Sequence, residues 1–152
     1  MERAVAELHA PPRIAFTSAD RWFGVMPIAG SDYYVVKLVG VYPCNAEKGL
    51  PLVRGLLIVI DADTGDVLLA ADAAAATAWR TAAATLLAAT RLGARRGLRV
   101  GVIGAGVQAR YHLRLIDLML EPSDIMVYSR TPSRARLLAE YYGAEWLAST
   151  RS

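Results

Sequence analysis

The sequence predicts an α/β protein in two parts: an N-terminal α+β part, then a shorter part in which strands and helices alternate. Three observations support this fold class. β-branched and aromatic runs fill residues 13–72, an alanine-rich run predicts a long helix at 73–92, and residues 98–152 alternate strand and helix patterns. The stretch Gly93-Ala-Arg-Arg-Gly97 interrupts the pattern as a helix stop and linker, so we predict domains at 1–93 and 98–152.

In the first part, residues 2–9 predict the end of a helix that Pro11-Pro12 breaks. Strands follow in 13–43, and the stretch Pro43–Pro51 predicts a turn because it holds two prolines, an Asn and a Gly. Two apolar runs then flank Asp61-Ala-Asp-Thr-Gly65, which favours a hairpin. Asp61 and Asp63 could act as paired carboxylates, but turn residues are the better interpretation.

In the second part, the order of patterns is strand and turn, helix, strand, helix and a candidate third strand near residues 144–149. This is the order of the mononucleotide-binding half of a doubly wound sheet. The helix at 73–92 consists mainly of small residues and is expected to pack closely on at least one face.

Composition narrows the class of protein. The 152 residues are 55% hydrophobic and 20% charged, with a formal net charge of +3. Residues 1–76 hold 6 Lys+Arg and 9 Asp+Glu, whereas 77–152 hold 11 and 5, so the second half has a charge of +6. This excess favours an anionic ligand there; nucleic acid is the weaker interpretation, because a dense basic stripe with interleaved aromatics is missing.

The single cysteine, Cys44, excludes an intramolecular disulfide. No signal-peptide pattern or long apolar span is present, so a cytoplasmic protein is predicted. We expect Cys44 to be a buried or half-buried small residue. His9 and His112 are far apart and lack ligand spacing, which argues against a metal site; His112 is expected to be packed or solvated on its helix.

A glycine-rich turn follows the first strand of the second part. It matches G-x-G-x-x-G/A between an apolar strand and an amphipathic helix, the context that a dinucleotide site requires. The first glycine permits the tight turn, the second lets the backbone approach a pyrophosphate, and the last small residue lets helix and strand pack. A turn without a ligand is the alternative. The predicted cofactor-binding residues are Gly104, Ala105, Gly106, Val107, Gln108 and Ala109.

The end of the next strand predicts which nicotinamide cofactor binds. An acid there would accept the ribose hydroxyls of NAD, but Val127–Arg134 contains none. Ser129 and Thr131 offer hydroxyls, and Arg130 and Arg134 offer guanidinium groups that suit a phosphate. We therefore predict NADP, with NAD possible. A helix cap, with Thr131 at the N-cap and the following proline at the first helical position, is compatible with this role.

Taken in order, the motifs of the whole chain resemble the ornithine cyclodeaminase/μ-crystallin family. The matching pieces are Pro11-Pro-Arg13, Gly24-Val-Met-Pro27, Val36-Lys-Leu38, Tyr42-Pro-Cys-Asn45, Lys48-Gly-Leu-Pro51, Asp61–Gly65, Asp72, Arg80-Thr-Ala-Ala83 and Ile103–Ala109. The resemblance implies an N-terminal α+β domain that dimerises and supplies substrate ligands, followed by a Rossmann domain. It also implies hydride transfer between NAD(P) and an amino or imino acid.

By this resemblance, Arg13, Lys37 and Arg80 bind the substrate carboxylate, and Lys37 also lies beside the reacting carbon as the catalytic residue. The chemistry agrees, since guanidinium groups bind carboxylates with two hydrogen bonds. Lys37 lies among valines and leucine, so we expect a partly desolvated ammonium; a solvent-facing strand lysine is the alternative. Arg80, in an alanine-rich helix, is expected on a buried face, paired with a ligand or with Asp72. A solvated loop residue is the alternative for Arg13.

The stretch Gly-Val-Met-Pro and the acid-free segment favour the ketimine reductase-like branch, which reduces substrates such as pyrroline-2-carboxylate. In the cyclodeaminase pattern an acid contacts the substrate amine where Gly24 stands here, which counts against that activity. Alanine dehydrogenase is a further alternative within the family. The resemblance also places residue 152 partway through the Rossmann domain. We therefore expect the chain alone not to complete hydride transfer: a separate chain supplies the missing half, or the protein is a non-catalytic remnant that dimerises and binds nucleotide.

Overall fold

In the computed structural model, residues 8–148 are described. The chain divides into two compact units, Met1–Thr77 and Ala78–Ser152. The first contains an antiparallel sheet and the second a parallel sheet with helices, which confirms the predicted α/β class. The domain limits 1–93 and 98–152 remain a prediction.

The first unit is built on one five-stranded antiparallel sheet. Its strands are neighbours in chain order because each connection reverses the direction of the chain. The strands are β1 (Ile14–Ser18), β2 (Arg21–Ala29), β3 (Tyr33–Val41), β4 (Val53–Asp61) and β5 (Val67–Asp72).

β2 tolerates a proline because of where the sheet ends. Pro27 has no N–H to donate, so it suits only a position where one side of the strand has no ladder to complete. β1 pairs with β2 only as far as Ile14↔Val25, while Pro27 pairs with Val36 of β3 on the other side. The N–H that Pro27 lacks would therefore lie beyond the last residue pair of β1 and β2, where no hydrogen bond of this ladder is lost.

The connection between β3 and β4 is a 3₁₀ helix, Pro43–Lys48, where the sequence predicted a turn. Gly49 ends it in the left-handed region, with φ +66°. The expectation of a buried or half-buried Cys44 is wrong: the residue is exposed, and its thiol donates to Asp20 Oδ2 at 3.3 Å. Its place at the start of a surface 3₁₀ turn explains the exposure.

The predicted hairpin joins β4 to β5, and Asp61 organises its turn. Asp61 Oδ1 accepts hydrogen bonds from the backbone N–H groups of Asp63, at 2.9 Å, and Thr64, at 2.8 Å. Gly65 completes the turn with φ +78°. These backbone donors, Thr64 first and then Asp63, lower the pKa of Asp61 below its usual range. The turn interpretation of Asp61 is confirmed.

The predicted helix at residues 2–9 lies mostly outside the described residues. Its last part is wrong, because His9 forms a bridge with Ala29, with His9 N donating to Ala29 O at 2.8 Å. The partner at the end of β2 supplies backbone hydrogen bonds that compete with a helical turn.

The helix α1, Ala73–Arg91, follows β5 directly, as the alanine-rich run predicted. Asp72 Oδ1 accepts from the backbone N–H of Ala75 at 2.7 Å, so this carboxylate satisfies one of the free donors at the helix start. Gly93, with φ +96°, stops the helix.

The second unit contains the three-stranded parallel sheet, in the order β6-β7-β8. Its core is closed around Leu113 and Val127, which are fully buried. None of the helices in the described part of the chain is long and apolar enough to span a membrane. The elements are β6 (Arg99–Ile103), α2 (Val107–Leu120), β7 (Asp124–Tyr128), α3 (Pro132–Tyr142) and β8 (Glu145–Leu147).

Candidate functional site

The glycine-rich turn lies between β6 and α2, as its sequence required. Gly104 has φ +112°, a conformation that L side chains rarely adopt, and nothing lies within 4 Å of a Cβ built on Gly104 or Gly106. Gly106 is the N-cap of α2, and no side chain caps this end. The first N–H groups of the helix therefore face open space, where the helix dipole favours an anion.

The residues around the two glycines have different surroundings. Ala105 is buried in the core, and Ala109 packs against the same cluster, so small side chains let α2 approach the sheet. Val107 and Gln108 are exposed in the first turn of α2. The turn is thus anchored on its inner side and open on its outer side.

The turn is held beside the end of the neighbouring strand. Gly104 N donates to Tyr128 O at 2.7 Å, and the strand register pairs Ile103 with Tyr128. Adjacent strands are about 4.8 Å apart, so Ser129 begins one strand spacing from the glycine turn. Ligands of open α/β sheets bind outside these carboxyl ends.

The segment Ser129–Arg134 forms the second wall of this candidate cofactor site. Ser129 is half-buried, and its hydroxyl accepts from Thr131 N at 3.2 Å. Thr131 is the N-cap of α3 and Pro132 takes the first position, as predicted, although the threonine hydroxyl makes no capping hydrogen bond. That hydroxyl is therefore not used by the helix.

Arg130 and Arg134 supply positive charge to this edge of the sheet. Both are exposed, and within residues 8–148 neither has a carboxylate within 4.0 Å. The sequence Val127–Arg134 holds no acid. Two uncompensated guanidinium groups next to a helix N-terminus can hold a phosphate, whereas a ribose diol would want an acceptor carboxylate.

The first unit holds Lys37 near the middle of its sheet. Lys37 lies on β3, pairs with Met26 of β2 and with Leu57 of β4, and is half-buried. Arg13 is exposed and precedes β1 by one residue. The β1–β2 ladder begins at Ile14↔Val25, so Arg13 comes directly before the first paired residue of β1.

The prediction of a buried face for Arg80 is wrong. Arg80 lies on α1 within the second unit and is exposed, because the buried positions of this helix are Ala73, Ala78, Ala82 and Leu86. An exposed guanidinium needs no compensating partner, and Asp72, the structural partner considered for it, caps the start of α1.

An aromatic side chain that the sequence analysis did not single out lies on the Lys37 face. The ring of Trp22 covers Gly24: a Cβ built on this glycine would lie 2.4 Å from Trp22 Cη2. Trp22, Gly24 and Met26 alternate along β2 and so share a face, and Met26 is opposite Lys37. The spacing i, i+2, i+4 of Trp22, Gly24 and Met26 in the sequence could have predicted that these residues share one face of a strand.

His112 is packed rather than solvated. Its Nδ1 lies 2.7 Å from Gln108 O and its Nε2 lies 3.0 Å from Thr85 Oγ1 on α1. The ring thereby links the helix of the glycine turn to α1 inside the second unit. No group of three or more potential metal ligands occurs among residues 8–148.

One family of known proteins matches almost the whole chain. Residues 2–147 match the family described as "Ornithine cyclodeaminase/mu-crystallin family". A curated relative, the Delta(1)-pyrroline-2-carboxylate/Delta(1)-piperideine-2-carboxylate reductase of Azospirillum brasilense, is 38% identical over 120 residues, which is 79% of this chain.

Two solved structures have the same fold. Thermococcus litoralis Delta(1)-pyrroline-2-carboxylate reductase, in complex with NADH and L-proline, superposes with a TM-score of 0.84 and 29% identity, covering 99% of this chain and 50% of that one. An archaeal alanine dehydrogenase dimer with bound NAD superposes with a TM-score of 0.82 and 26% identity, covering 95% and 46%. The chain spans 39% of the Azospirillum reductase, and between 33% and 46% of other curated relatives.

Proposed function

Because the chain belongs to the ornithine cyclodeaminase/mu-crystallin family, we propose that it carries the cofactor-binding turn and the substrate-binding sheet of a nicotinamide-dependent reductase of cyclic imino acids. The observation that carries the proposal is the open N-terminus of α2, with Gly104 at φ +112°, next to the acid-free segment that follows β7. One feature binds a pyrophosphate and the other the adenosine end of the cofactor.

We propose NADP as the preferred cofactor. The N–H groups of the glycine turn would bind its pyrophosphate. Ser129, Thr131, Arg130 and Arg134 would bind the adenosine ribose and its 2′-phosphate. Arg130 and Arg134 are free of carboxylate partners in the described part of the chain, so neither has to break an ion pair to bind the 2′-phosphate. NAD remains the second choice, because the solved relatives contain NAD or NADH.

The proposed substrate is a small α-imino carboxylate such as pyrroline-2-carboxylate. Arg13, Lys37 and Arg80 would bind its carboxylate, and the ammonium of Lys37 would hold or donate the proton that the imine nitrogen takes up. The cofactor would supply the hydride to the imine carbon. Reduction thereby adds one hydride and one proton and yields the cyclic amino acid.

Trp22 favours reduction over cyclodeamination. Its ring occupies the space above Gly24, on the face of the sheet that carries Lys37, so an acid that contacts a substrate amine has no room there without movement of the ring. An indole on the face of the sheet that carries the lysine suits an apolar ring in the substrate rather than a second amino group. Alanine dehydrogenase activity is the closest alternative, because alanine also lacks a side-chain amine.

We further propose that the protein is a cytoplasmic homodimer formed through the first unit. One face of its sheet carries Ile14, Phe16 and Leu56, whose exposed fractions are 55%, 59% and 40%. Phe23 and Leu38 continue this apolar face in the same register. A second copy would bury a surface that is costly to leave in water.

NADPH oxidation tests the enzymatic proposal. The purified protein is mixed with pyrroline-2-carboxylate, piperideine-2-carboxylate or, in the oxidative direction, alanine with NADP. When a separate chain supplies the other half of the Rossmann domain, we expect turnover with the cyclic imino acids and a loss of at least about 100-fold in kcat/KM for Lys37→Met. Nucleotide binding without turnover on any of the three would favour a non-catalytic dimer, and alanine as the best substrate would favour a dehydrogenase.

A further inference from the structure

A groove on the outer side of the second unit, between α2 and α3, has no part in the proposed reaction. Its volume is about 710 Å³. We call it the arginine–tyrosine groove. It is lined by residues of α2 and α3: Arg110, Tyr111, Arg114, Leu137, Leu138, Glu140, Tyr141 and Tyr142. The two arginines outnumber the one acid.

Two cations line one side of the groove. Arg110 and Arg114 are one helical turn apart and exposed, and no carboxylate of residues 8–148 lies within 4.0 Å of either guanidinium. The Arg114 guanidinium lies 5.3 Å from the centre of the Trp79 ring, and this ring packs edge-on against Tyr111 at 4.9 Å. The stacking holds the guanidinium in place while leaving its N–H donors for a partner.

The other side, formed by α3, is mainly apolar and projects into solvent, and it carries one acid, Glu140. The exposed fractions of Leu137 and Tyr141, one turn apart on α3, are 60% and 79%. Tyr142 forms the base: its hydroxyl donates to Arg110 O at 3.2 Å. Burial, followed by the neighbouring Tyr141, raises the pKa of Tyr142.

We propose that this groove binds an acidic amphipathic helix of a partner protein. The leucine and tyrosine at i, i+4 offer an apolar strip, and the two arginines at i, i+4 form a basic rim beside it. A helix with apolar residues on one face and Glu or Asp flanking them matches both features. Because the Leu137 and Tyr141 walls are mostly exposed, a small molecule would remain wet on one face, whereas small-molecule sites bury about 70–90% of their ligand.

Fluorescence anisotropy of a labelled synthetic peptide tests the proposal. The probe is a helical peptide of about four turns, with leucines along one face and glutamates flanking them. We expect saturable binding that weakens about tenfold with Arg110→Glu/Arg114→Glu and at least about threefold with Leu137→Ala/Tyr141→Ala. The double replacement Arg21→Glu/Arg95→Glu changes the net charge equally, outside the groove, and should leave the affinity unchanged.

Two further peptides separate a groove from general charge attraction: one with lysine in place of glutamate, and one with the same residues in scrambled order. Both should bind at least about tenfold more weakly. Equal binding of the scrambled peptide, equal loss in the control variant, or no binding at all would overturn the proposal. A change in the oligomeric state of the peptide-free protein caused by the arginine replacements would also overturn it, because a second copy of the protein would then be the occupant of the groove.

Discussion

The two units differ in where their hydrophobic residues lie. Among the described residues of the first unit, the buried hydrophobic side chains are Val39 and Ala73, although its strands are rich in valine, leucine and isoleucine. The second unit buries a contiguous cluster around Leu113 and Val127. The second unit therefore has a core of its own, whereas the first has an apolar sheet face with large side chains in contact with water. The exposed face is the surface through which we propose that the protein dimerises.

The largest effect is expected from the core of the second unit. Leu113→Ala removes a side chain that is 0% exposed, and we expect a loss of about 2–5 kcal/mol in the free energy of unfolding. Leu118→Ala, on the same helix at 71% exposed, should cost less than about 1 kcal/mol. Urea unfolding measures both, and similar losses for the two variants would contradict the assignment of the core.

The turn glycines give a second contrast between the units. Gly104→Ala and Gly65→Ala each place a side chain at positive φ in open space, and each should cost about 1–2 kcal/mol. Only Gly104→Ala should also weaken NADPH binding, because Gly65 belongs to the hairpin of the first unit. Equal effects of the two variants on NADPH affinity would contradict the proposal that the glycine turn binds the cofactor.

The exposed sheet face predicts dimerisation through the first unit. Phe16→Glu introduces a charge into this face and should raise the dimer dissociation constant at least about tenfold in sedimentation experiments. Leu92→Glu, at a position 89% exposed outside this face, is the matched control. A dimer that withstands the first replacement, or a wild-type monomer at high concentration, would contradict the proposed interface.

The smallest effect concerns the pH dependence of the hairpin. Hydrogen bonds lower the pKa of Asp61 in the folded protein, so its stabilising contribution is present above the unfolded value of about 3.9 and is lost as the pH falls through the folded value. Asp61→Asn should therefore flatten the acid limb of the stability curve, and Asp63→Asn should leave it unchanged. Unfolding curves between about pH 2 and 6 measure this, and identical curves for the wild type and Asp61→Asn would refute it.

Local patterns predicted the elements whose stability is itself local. The hairpin at Asp61–Gly65, the helix from Ala73 and the alternation after Leu98 each carry their own turn or capping signals, and the structure confirms all three. The glycine turn was recognisable because a positive φ and a free helix end both require particular residue types.

Predictions that depended on tertiary neighbours were less successful. The prediction that Arg80 lies on a buried face is wrong. An arginine among alanines does not reveal which side of the helix faces the core. Cys44 was expected to be at least half-buried, and His9 to be helical, but their partners are Asp20 and the end of β2. The arginine–tyrosine groove was missed because its two walls are more than twenty residues apart in the sequence.

The most direct test of the proposed cofactor site is a calorimetric titration of the protein with NADPH and NADH. We expect NADPH to bind more tightly than NADH, and we expect Arg130→Ala to lower the affinity for NADPH at least about tenfold while leaving that for NADH unchanged. Arg95→Ala, which removes an exposed arginine outside the site, should change neither. Failure of both nucleotides to bind, or an unaltered NADPH affinity in Arg130→Ala, would contradict the site built from the glycine turn and Ser129–Arg134.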